Sequence, residues 1–441
     1  MRAKSVRGRI VVAAVAFSMT LSLAACAADK KKENTQSGAV VGLTDTGGPT
    51  VAPGDCAGLK SGTGITDQEI TIGNASDITG IAPGLFQDVQ QAVQAYVAYF
   101  NAGQTICGRK LKYLPLDSRI DSVGDQTAAK QACNQAFALV GSMAAFDSGG
   151  AGEVAKCGIP DLRSATLTPA RLKSDVTFAA NSLAVNLIPS VVPDYFRKTY
   201  PEATEHAAFL YLNAGASQAN AVNEIAGWKK RGFKFVYTQG IDVFDADYTP
   251  YALQLKKKGV QYVQFIGTYE SAAKLASAMH YQNFKPEIFL LDPAGYDFKY
   301  LGYGQSAVEG TRIFINSALF EEGSQNEEMR RYMGWLKKVA PRAYPTYFGL
   351  YAWASARLFT EQAITLGGRL DRKNLLTNLK GVNNWTGHGL FAPQNVGERK
   401  TGGCSAIIHL VNGKWVREAP AAKGEFMCGP LVDSGLGTGR S

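Results

Sequence analysis

The sequence predicts an α/β protein with two lobes, each built on a mainly parallel sheet. Short β-rich runs end in small or polar residues, and stretches of about 10 to 20 residues with helical spacing follow them. This rhythm runs from Ile65 to Asn181 and then starts again. The chain beyond Ile65 is long enough for two domains of ordinary size.

The first lobe begins with a strand, EITIGN (Glu69–Asn74), that runs into a polar loop. A helix follows, because apolar residues recur at helical spacing between Pro83 and Gly103, which suit its start and its end. The later segments predict a strand (KLKYLPLDS), a helix (DQTAAKQACNQAF), a third strand (ALVGSMA) and a fourth strand with a polar exit loop (IPDLRSATLTP).

The second lobe repeats the alternation after Asn181. Its segments, strand first, are HAAFLYLNAGA, SQANAVNEIAGWKKRG, FKFVYTQ, YTPYALQLKKKG, VQYVQFIG, YESAAKLASAMHYQ and EIFLLDPAG. From Gly310 the chain predicts one more strand, three helices and a β-rich tail. In that tail Asn412-Gly413 lies between alternating runs, which indicates a hairpin.

The amino terminus has the pattern of a bacterial secretory signal. Basic residues precede a 16-residue, largely apolar stretch (Ile10–Ala25) that is shorter than the roughly 20 residues a membrane-spanning helix needs. Leu23-Ala24-Ala25-Cys26 resembles the lipobox, in which the cysteine is acylated and becomes the new amino terminus. We therefore expect Cys26 to anchor the protein on the outer face of the bacterial cytoplasmic membrane.

The residues after Cys26 predict a flexible tether up to Gly64, because they include few large apolar groups. The net charge of +9 includes the basic residues of the signal, so the processed chain has only a mild positive excess. This balance does not indicate a nucleic-acid partner, and Lys30–Lys32 are better placed to meet anionic lipid head groups.

Six cysteines remain beside Cys26, an even number typical of disulfides in an exported protein. They are Cys56, Cys107, Cys133, Cys157, Cys404 and Cys428. The sequence alone permits 15 pairings of six cysteines. Their positions relative to the predicted strands favour pairing 56 with 107, 133 with 157 and 404 with 428.

Catalytic motifs are missing from the sequence. It has no GxSxG, GxxxxGK[ST], GxGxxG or HExxH pattern, and its four histidines show no ligand spacing. We therefore expect no catalytic residues, no metal site and no cofactor. A secreted hydrolase is disfavoured, because it needs a nucleophile with a partnered histidine.

Six internal stretches follow the lipobox and tether in the order of a known family. They are GITDQEITIGNASDITG, NAGQTICGRKLKYLPLDS, SVGDQTAAKQACNQAFALVGS, GIPDLRSATLTPA, DYTPYALQLKKKGVQYVQFIG and TYFGLYAWASARLFTEQAITLGG. Over about Gly64 to Trp415 the chain resembles the leucine/isoleucine/valine-binding-protein-like group of type I periplasmic substrate-binding proteins. The resemblance implies two Rossmann-like lobes joined by three hinge crossings, which we place near Asn181, near Thr311 and around Trp385–Phe391.

The resemblance also implies the organisation and the partners of the chain. We expect a signal peptide (1–25), a tether (26–64), lobe 1 (65–181 and 312–385), lobe 2 (182–311 and 386–430) and a tail (431–441). Such a protein is not an enzyme. It captures a small solute and delivers it to the permease of an ABC importer, whose separate ATPase supplies the work.

The solute is expected at the carboxyl ends of the strands, where loops of both lobes meet in one crevice. The candidate ligand-binding residues are Thr79, Gly80, Phe86, Met143, Ala144, Ala145, Ser164 and Thr166 in lobe 1, and Asn213, Thr268, Tyr269, Asp292 and Tyr296 in lobe 2. Hydroxyls and free N–H groups at Thr79, Gly80 and Ser164–Thr166 should hold the solute first. Tyr269 and Asp292 should then add contacts that exist only after closure.

The loops depart from the amino-acid binders of the family. Those proteins generally offer hydroxyls to the carboxylate and an acid of lobe 2 to the ammonium group. Here GSMAAFDSGG is poor in hydroxyls, and Ala294 stands where the acid often lies, leaving Asp292 or Asp297 as displaced substitutes. We therefore predict a small polar or amphipathic solute: an amino acid, an amide or an organic acid. The alternative is a surface lipoprotein, a sensor or structural partner, with a degenerate cleft.

Overall fold

The computed structural model describes residues 39–42 and 53–436, so the predicted signal peptide, Cys26 and much of the predicted tether lie outside the described residues. In chain order the strands are β1 (Ala39–Gly42), β2 (Glu69–Ser76), β3 (Lys110–Asp117), β4 (Ala138–Val140), β5 (Asp161–Ala165), β6 (Thr177–Asn181), β7 (Leu187–Pro189), β8 (Ala207–Leu212), β9 (Phe235–Ile241), β10 (Tyr262–Ile266), β11 (Ile288–Leu291), β12 (Arg312–Ile315), β13 (Cys404–Val411), β14 (Lys414–Ala419), β15 (Glu425–Cys428) and β16 (Leu431–Asp433). The α-helices are α1 (Gln87–Gly103), α2 (Ser122–Gln135), α3 (Ala151–Cys157), α4 (Pro169–Lys173), α5 (Val191–Thr199), α6 (Pro201–Glu205), α7 (Ser217–Lys230), α8 (Thr249–Lys257), α9 (Tyr269–Tyr281), α10 (Phe298–Gly304), α11 (Glu327–Val339), α12 (Tyr347–Leu366) and α13 (Arg372–Leu379).

Lobe 1 is built on a five-stranded, fully parallel sheet in the order β3-β2-β4-β5-β6. Successive side chains of a strand point to opposite faces, so Leu139 packs in the apolar cluster of α2 and α3 while Val140 packs in that of α1 and α12. Helices therefore cover both faces, as a parallel sheet requires. The last strand, β6, extends the four strands that the sequence predicts.

Helix α12 shows why the C-terminal part of the chain returns to lobe 1. Its residues are buried on nearly every side, because the helix packs between α1 and the sheet. The hydroxyls of Tyr96 on α1 and Thr360 on α12 are 2.6 Å apart, and the rings of Tyr96 and Trp353 meet edge to face at 4.9 Å.

Lobe 2 is built on a nine-stranded mixed sheet. Strands β9, β8, β10, β11 and β12 run parallel to one another, and β13, β14, β15 and β1 extend them with antiparallel pairs. The predicted hairpin joins β13 to β14, where Val411 pairs with Lys414. Asn412 and Gly413 both have positive φ values, 51° and 70°, which this two-residue turn requires.

Three segments connect the lobes and lie side by side. Asn316, which follows β12, donates from Nδ2 to Asn181 Oδ1 over 3.3 Å, and the Ala392 amide donates to the Asn316 carbonyl over 2.8 Å. Strand β12 pairs with β11 and β13, so residues 312–315 belong to the sheet of lobe 2 rather than to lobe 1, where the sequence analysis places them. The second crossing follows Ile315, because the chain completes this strand before it leaves the sheet.

All three predicted disulfides are confirmed. Cys56 pairs with Cys107, Cys133 with Cys157 and Cys404 with Cys428, with Cα–Cα distances of 5.3, 6.0 and 4.0 Å. The second joins α2 to α3, and the third joins directly opposed residues of β13 and β15.

Within residues 39–42 and 53–436, no helix is long and apolar enough to cross a membrane.

Candidate functional site

A cavity of about 150 Å³ lies where the strands of both lobes end. Lobe 1 contributes residues that follow β5 and β6 or begin α12, and lobe 2 contributes the ends of β10, β11 and β12 together with one face of α7. The lining residues include Thr166, Leu167, Asn181, Tyr347 and Phe348 from lobe 1, Asn220, Glu224, Trp228, Ile266, Asp292, Phe314 and Ile315 from lobe 2, and Asn316 at the crossing between the lobes. The cavity therefore has the position expected of a ligand site in an open α/β fold.

Glu224 projects from α7 into this cavity. Its Oε2 accepts a hydrogen bond from Nε2 of the buried Gln264 on β10 over 2.6 Å. Burial raises the pKa of Glu224 to about 8, and the neighbouring Asp292 adds to that shift. The side chain is therefore held in place by one protein donor and is costly to ionise while the cavity is empty.

Asp292 follows β11 and begins a 3-10 turn, Pro293–Gly295. Burial raises the pKa of Asp292 to about 7, although backbone amides, foremost that of Ala294, act in the opposite direction. The side chain keeps some access to solvent through the cavity, while protein surrounds it on the other sides. Two carboxyl groups with raised pKa values thus share one cavity.

The remaining wall divides into a polar part and an apolar part. Asn181, Asn316 and Tyr347 form a hydrogen-bonded group where the lobes are joined. The apolar part runs along the first hinge segment and reaches Trp228, whose indole Nε1 is buried and has no acceptor. It comprises Leu183, Ala184, Val185, Leu187, Ile188, Pro189 and Val192, with Phe314 beside them.

The two lobes also touch each other outside the cavity lining. Phe298 of lobe 2 stacks on Tyr344 of lobe 1 with ring centres 4.4 Å apart. Gly215 of lobe 2 has a positive φ of 54°, and a Cβ added there would lie 3.0 Å from the carbonyl oxygen of Ala145 in lobe 1, which is a tight contact. The lobes therefore contact each other directly across the cleft.

Only two of the sequence-predicted ligand residues, Thr166 and Asp292, line the cavity. Ser164 and Phe86 lie one layer behind it. The Ser164 hydroxyl donates to the carbonyl oxygen of the lining residue Phe348 over 2.8 Å, and the Phe86 ring packs edge-on against the Phe348 ring at 6.1 Å.

The other candidates of lobe 1 do not line the cavity. Thr79 is exposed, and its hydroxyl donates to Asp117 Oδ2 over 2.6 Å; Gly80 is exposed beside it. Met143 and Ala144 are buried, and the Ala145 amide donates to Asp77 Oδ2 over 2.7 Å. The hydroxyls of Thr79 and Ser164 each donate to a protein acceptor, so their protons are already engaged within lobe 1.

The other candidates of lobe 2 have separate environments. Asn213 is exposed, and the Thr268 side chain accepts from the Ser271 amide as the N-cap of α9. Tyr269 lies at the edge of the cleft, where its ring meets that of Tyr303 at 5.7 Å. Tyr296 is buried, and its hydroxyl donates to Glu321 Oε2 over 2.6 Å.

Sequence reasoning missed the contribution of α7. Asn220, Glu224 and Trp228 are spaced four residues apart and share one helix face, which lines the cavity. The stretch SQANAVNEIAGWKKRG predicts a helix, but nothing in it reveals that the face with Glu224 looks into a cleft. The one sequence signal that could have found this face is the i, i+4, i+8 spacing of Asn220, Glu224 and Trp228.

A family model described as periplasmic binding protein matches residues 69–412. The chain belongs to the periplasmic binding protein family. Among curated proteins no sequence relative matches it.

Solved structures of periplasmic binding proteins share the fold. A fatty acid ABC transporter substrate-binding protein from Thermomonospora curvata is 19% identical, with a TM-score of 0.69, covering 84% of this chain and 95% of that one. A protein from R. palustris in complex with 4-hydroxybenzoate is 15% identical, with a TM-score of 0.67 and coverages of 84% and 99%. The branched-chain amino acid binding protein LivJ from Streptococcus pneumoniae, in complex with isoleucine, is 14% identical, with a TM-score of 0.67 and coverages of 79% and 98%. The resemblance to leucine/isoleucine/valine-binding proteins and the two-lobed type I fold are thereby confirmed.

Proposed function

We propose that this periplasmic binding protein captures a small amphipathic solute between its lobes and delivers it to an ABC importer. The observation that carries the proposal is the cavity at the strand ends of both lobes, with Glu224 and Asp292 among its lining residues and an apolar wall along the hinge. Known relatives of the fold support an amphipathic solute, because isoleucine and 4-hydroxybenzoate each combine an apolar body with polar groups.

Closure would couple solute binding to transport. The contacts of Phe298 with Tyr344 and of Gly215 with Ala145 exist only when the lobes are together. A solute that touches both walls of the cavity favours that state over an open one. The permease would bind the closed form, and a separate ATPase would supply the work.

We propose lobe boundaries that follow the sheets. Lobe 1 comprises residues 65–181 and 316–385, and lobe 2 comprises residues 182–315 and 386–430. The assignment of 312–315 to lobe 2 is supported by the pairing of β12 with β11 and β13. Chain segments would rotate relative to each other near Asn181, Asn316 and Phe391.

Lipid anchoring at Cys26 is part of the proposal and is supported by the sequence alone. The basic amino end, the short apolar stretch and Leu23–Cys26 are together typical of an exported lipoprotein. The protein would then act on the outer face of the cytoplasmic membrane, as a binding protein and not as an enzyme.

A thermal-shift screen of the mature protein against a broad metabolite library tests the proposed function. A solute at 100 times its dissociation constant should stabilise the protein by about 2.7 kcal/mol. Each hit should be repeated on Glu224→Gln, which alters the cavity, and on Glu202→Gln, which removes an exposed acid of α6. A hit supports the proposal if it stabilises Glu224→Gln less than the wild type but stabilises Glu202→Gln to the same extent as the wild type. Silence across the library, or hits unaffected by the cavity variant, would favour a degenerate cleft.

A further inference from the structure

We infer that the solute is an organic cation, an apolar body with one ammonium-class head group and no carboxylate. The head group would lie between Glu224 and Asp292, and the body would lie along the apolar wall from Leu187 to Trp228. The inference rests on the proposed function and names the substrate class of the same cavity.

The charge of the lining residues favours a cationic solute. Glu224 and Asp292 are acidic, and no lysine, arginine or histidine lines the cavity among the residues that the structure describes. Arg312, on the strand that also carries Phe314, is paired with Glu418 at 2.7 Å. The cavity therefore has two acids of its own and no counter-ion.

The pKa values of the two acids agree with this geometry. Burial raises both, to about 8 for Glu224 and about 7 for Asp292, and neither is lowered by a neighbouring cation. Buried acids normally have a partner, because an unpaired charge in a closed site is costly. A bound ammonium group would supply that partner, whereas a bound carboxylate would add a third acidic group.

The hydrogen-bond donors of the lobe 1 loops independently disfavour a solute with a carboxylate. A carboxylate needs several donors, but the Ser164 hydroxyl binds Phe348 O, the Thr166 hydroxyl lies 3.4 Å from Leu183 O, and the Leu167 amide binds Asp147 Oδ2. The Ala145 amide binds Asp77 as well. These four donors of the lobe 1 loops are thus already engaged by the protein, which disfavours a zwitterionic solute whose carboxylate they would hold.

The apolar wall favours a solute with an apolar body. Leu187, Ile188 and Val192 line the cavity together with Trp228. Contact with this wall removes apolar surface of the solute from water and so favours binding. A small hydrated cation without an apolar body would leave this wall uncovered.

Calorimetric titration of the mature protein with two matched probe sets tests the inference. One set is 2-phenylethylamine, 2-phenylethanol and phenylacetate, and the other is hexylamine, hexan-1-ol and hexanoate. We expect an amine to bind about tenfold or more tightly than the alcohol and the acid of its set. Binding should release protons, because the ammonium group favours ionised Glu224 and Asp292, so the measured enthalpy should depend on the ionisation enthalpy of the buffer.

Variants separate the head-group contact from general effects. Glu224→Gln and Asp292→Asn should each weaken amine binding about tenfold and reduce the proton release, while Glu202→Gln should change neither. An acid that binds as tightly as its amine, an amine affinity unchanged in both cavity variants, or no binding by either amine would each overturn the inference. If the broad library also gave no hit, the proposed function would fail with it; a carboxylate hit in the library would leave that function standing.

Discussion

The hydroxyl of Tyr347, at the start of α12 in lobe 1, donates a hydrogen bond over 2.6 Å to Oδ1 of Asn316, the residue that follows β12 where the chain leaves lobe 2. Nδ2 of Asn181 donates to the same hydroxyl over 3.1 Å, and the Tyr351 hydroxyl also donates to Asn316 Oδ1 over 2.7 Å. These groups join two hinge segments to the first turns of α12, and Asn181, Asn316 and Tyr347 also line the cavity. The hinge segments therefore form part of the cavity wall.

Tyr347→Phe should destabilise the protein by about 1 kcal/mol, because it leaves the buried Asn181 amide without an acceptor and removes one donor to Asn316. Urea unfolding monitored by circular dichroism measures the effect. Tyr303→Phe, at an exposed position of α10, is the matched control and should change the free energy of unfolding little. Equal effects of the two substitutions would contradict a structural role for the hinge network.

Phe298→Ala should weaken solute binding without lowering the stability of the empty protein. The stacked pair Phe298–Tyr344 joins the lobes, and an aromatic pair contributes about 1 kcal/mol, which corresponds to about fivefold in affinity. Calorimetric titration with a solute from the screen measures the loss. Tyr281→Ala removes a ring that is exposed at the end of α9 and serves as the control. An unchanged affinity in Phe298→Ala would show that this contact does not stabilise the closed state.

The stability of the empty protein should fall as pH rises from about 5 to about 8. The pKa of Glu224 is raised from 4.5 to about 8 and that of Asp292 from 3.8 to about 7. Across this range the folded protein binds more protons than the unfolded chain. The two acids therefore contribute their full stabilisation below their pKa values in the unfolded chain, and this contribution is lost as the pH rises through their pKa values in the folded protein. The titratable groups that face these acids are each other, Tyr262 and Tyr347.

Glu224→Gln should flatten that pH dependence and stabilise the empty protein at pH 8, by an amount on the order of 2 kcal/mol. Chemical unfolding at several pH values measures it, with Glu202→Gln as the control. A pH profile identical in wild type and Glu224→Gln would contradict the raised pKa. A gain in stability combined with a loss of amine binding is the signature expected of a residue retained for its ligand.

Replacing both Cys133 and Cys157 with alanine should destabilise lobe 1 by about 3 kcal/mol, because the disulfide closes a loop with a sequence separation of 24. Thermal unfolding of the purified variant under non-reducing conditions measures the effect. The solute affinity should be unchanged at a temperature where both proteins are folded, since this bond joins α2 to α3 away from the cavity. A loss of solute affinity of tenfold or more in the folded variant would contradict the claim that this disulfide lies away from the binding cavity.

Cys26→Ser should release the protein from membranes, because the thiol is the group that a lipobox acylates. Fractionation of cells fed with a labelled fatty acid measures both location and acylation. Label retained on the serine variant would show that the anchor lies elsewhere.

The fold was predictable from the sequence because its signals are local. The apolar face of α1 and the Asn412-Gly413 turn each report structure within a short stretch of chain, and both predictions are confirmed. The even cysteine count is a signal of the whole chain, and the disulfides that it predicts are also confirmed. Short fully buried segments were harder: β6 (TFAAN) has only five residues and carries no alternation. The sequence places the second boundary near Thr311, whereas we propose Ile315, because the pairing of β12 with β13 joins segments far apart in sequence.

The site was less predictable, because it depends on which loop residues the protein itself already satisfies. Thr79 and Ser164 have the chemistry of ligand donors, but Asp117 and the Phe348 carbonyl accept their hydrogen bonds. Conversely, Glu224 looks like a solvated helix residue until α7 is placed against the cleft. Asp292 was identifiable because it directly follows a strand, where the topology places ligands.

Small-angle scattering of the mature protein with and without solute tests the central claim most directly, that a solute held by Glu224 and Asp292 closes the lobes. At a concentration that saturates the wild type, the radius of gyration of the wild type should fall to the value calculated for the closed structure. The double variant Glu224→Gln/Asp292→Asn should keep the larger radius of the unliganded protein at the same concentration. Equal compaction of wild type and double variant would contradict the account.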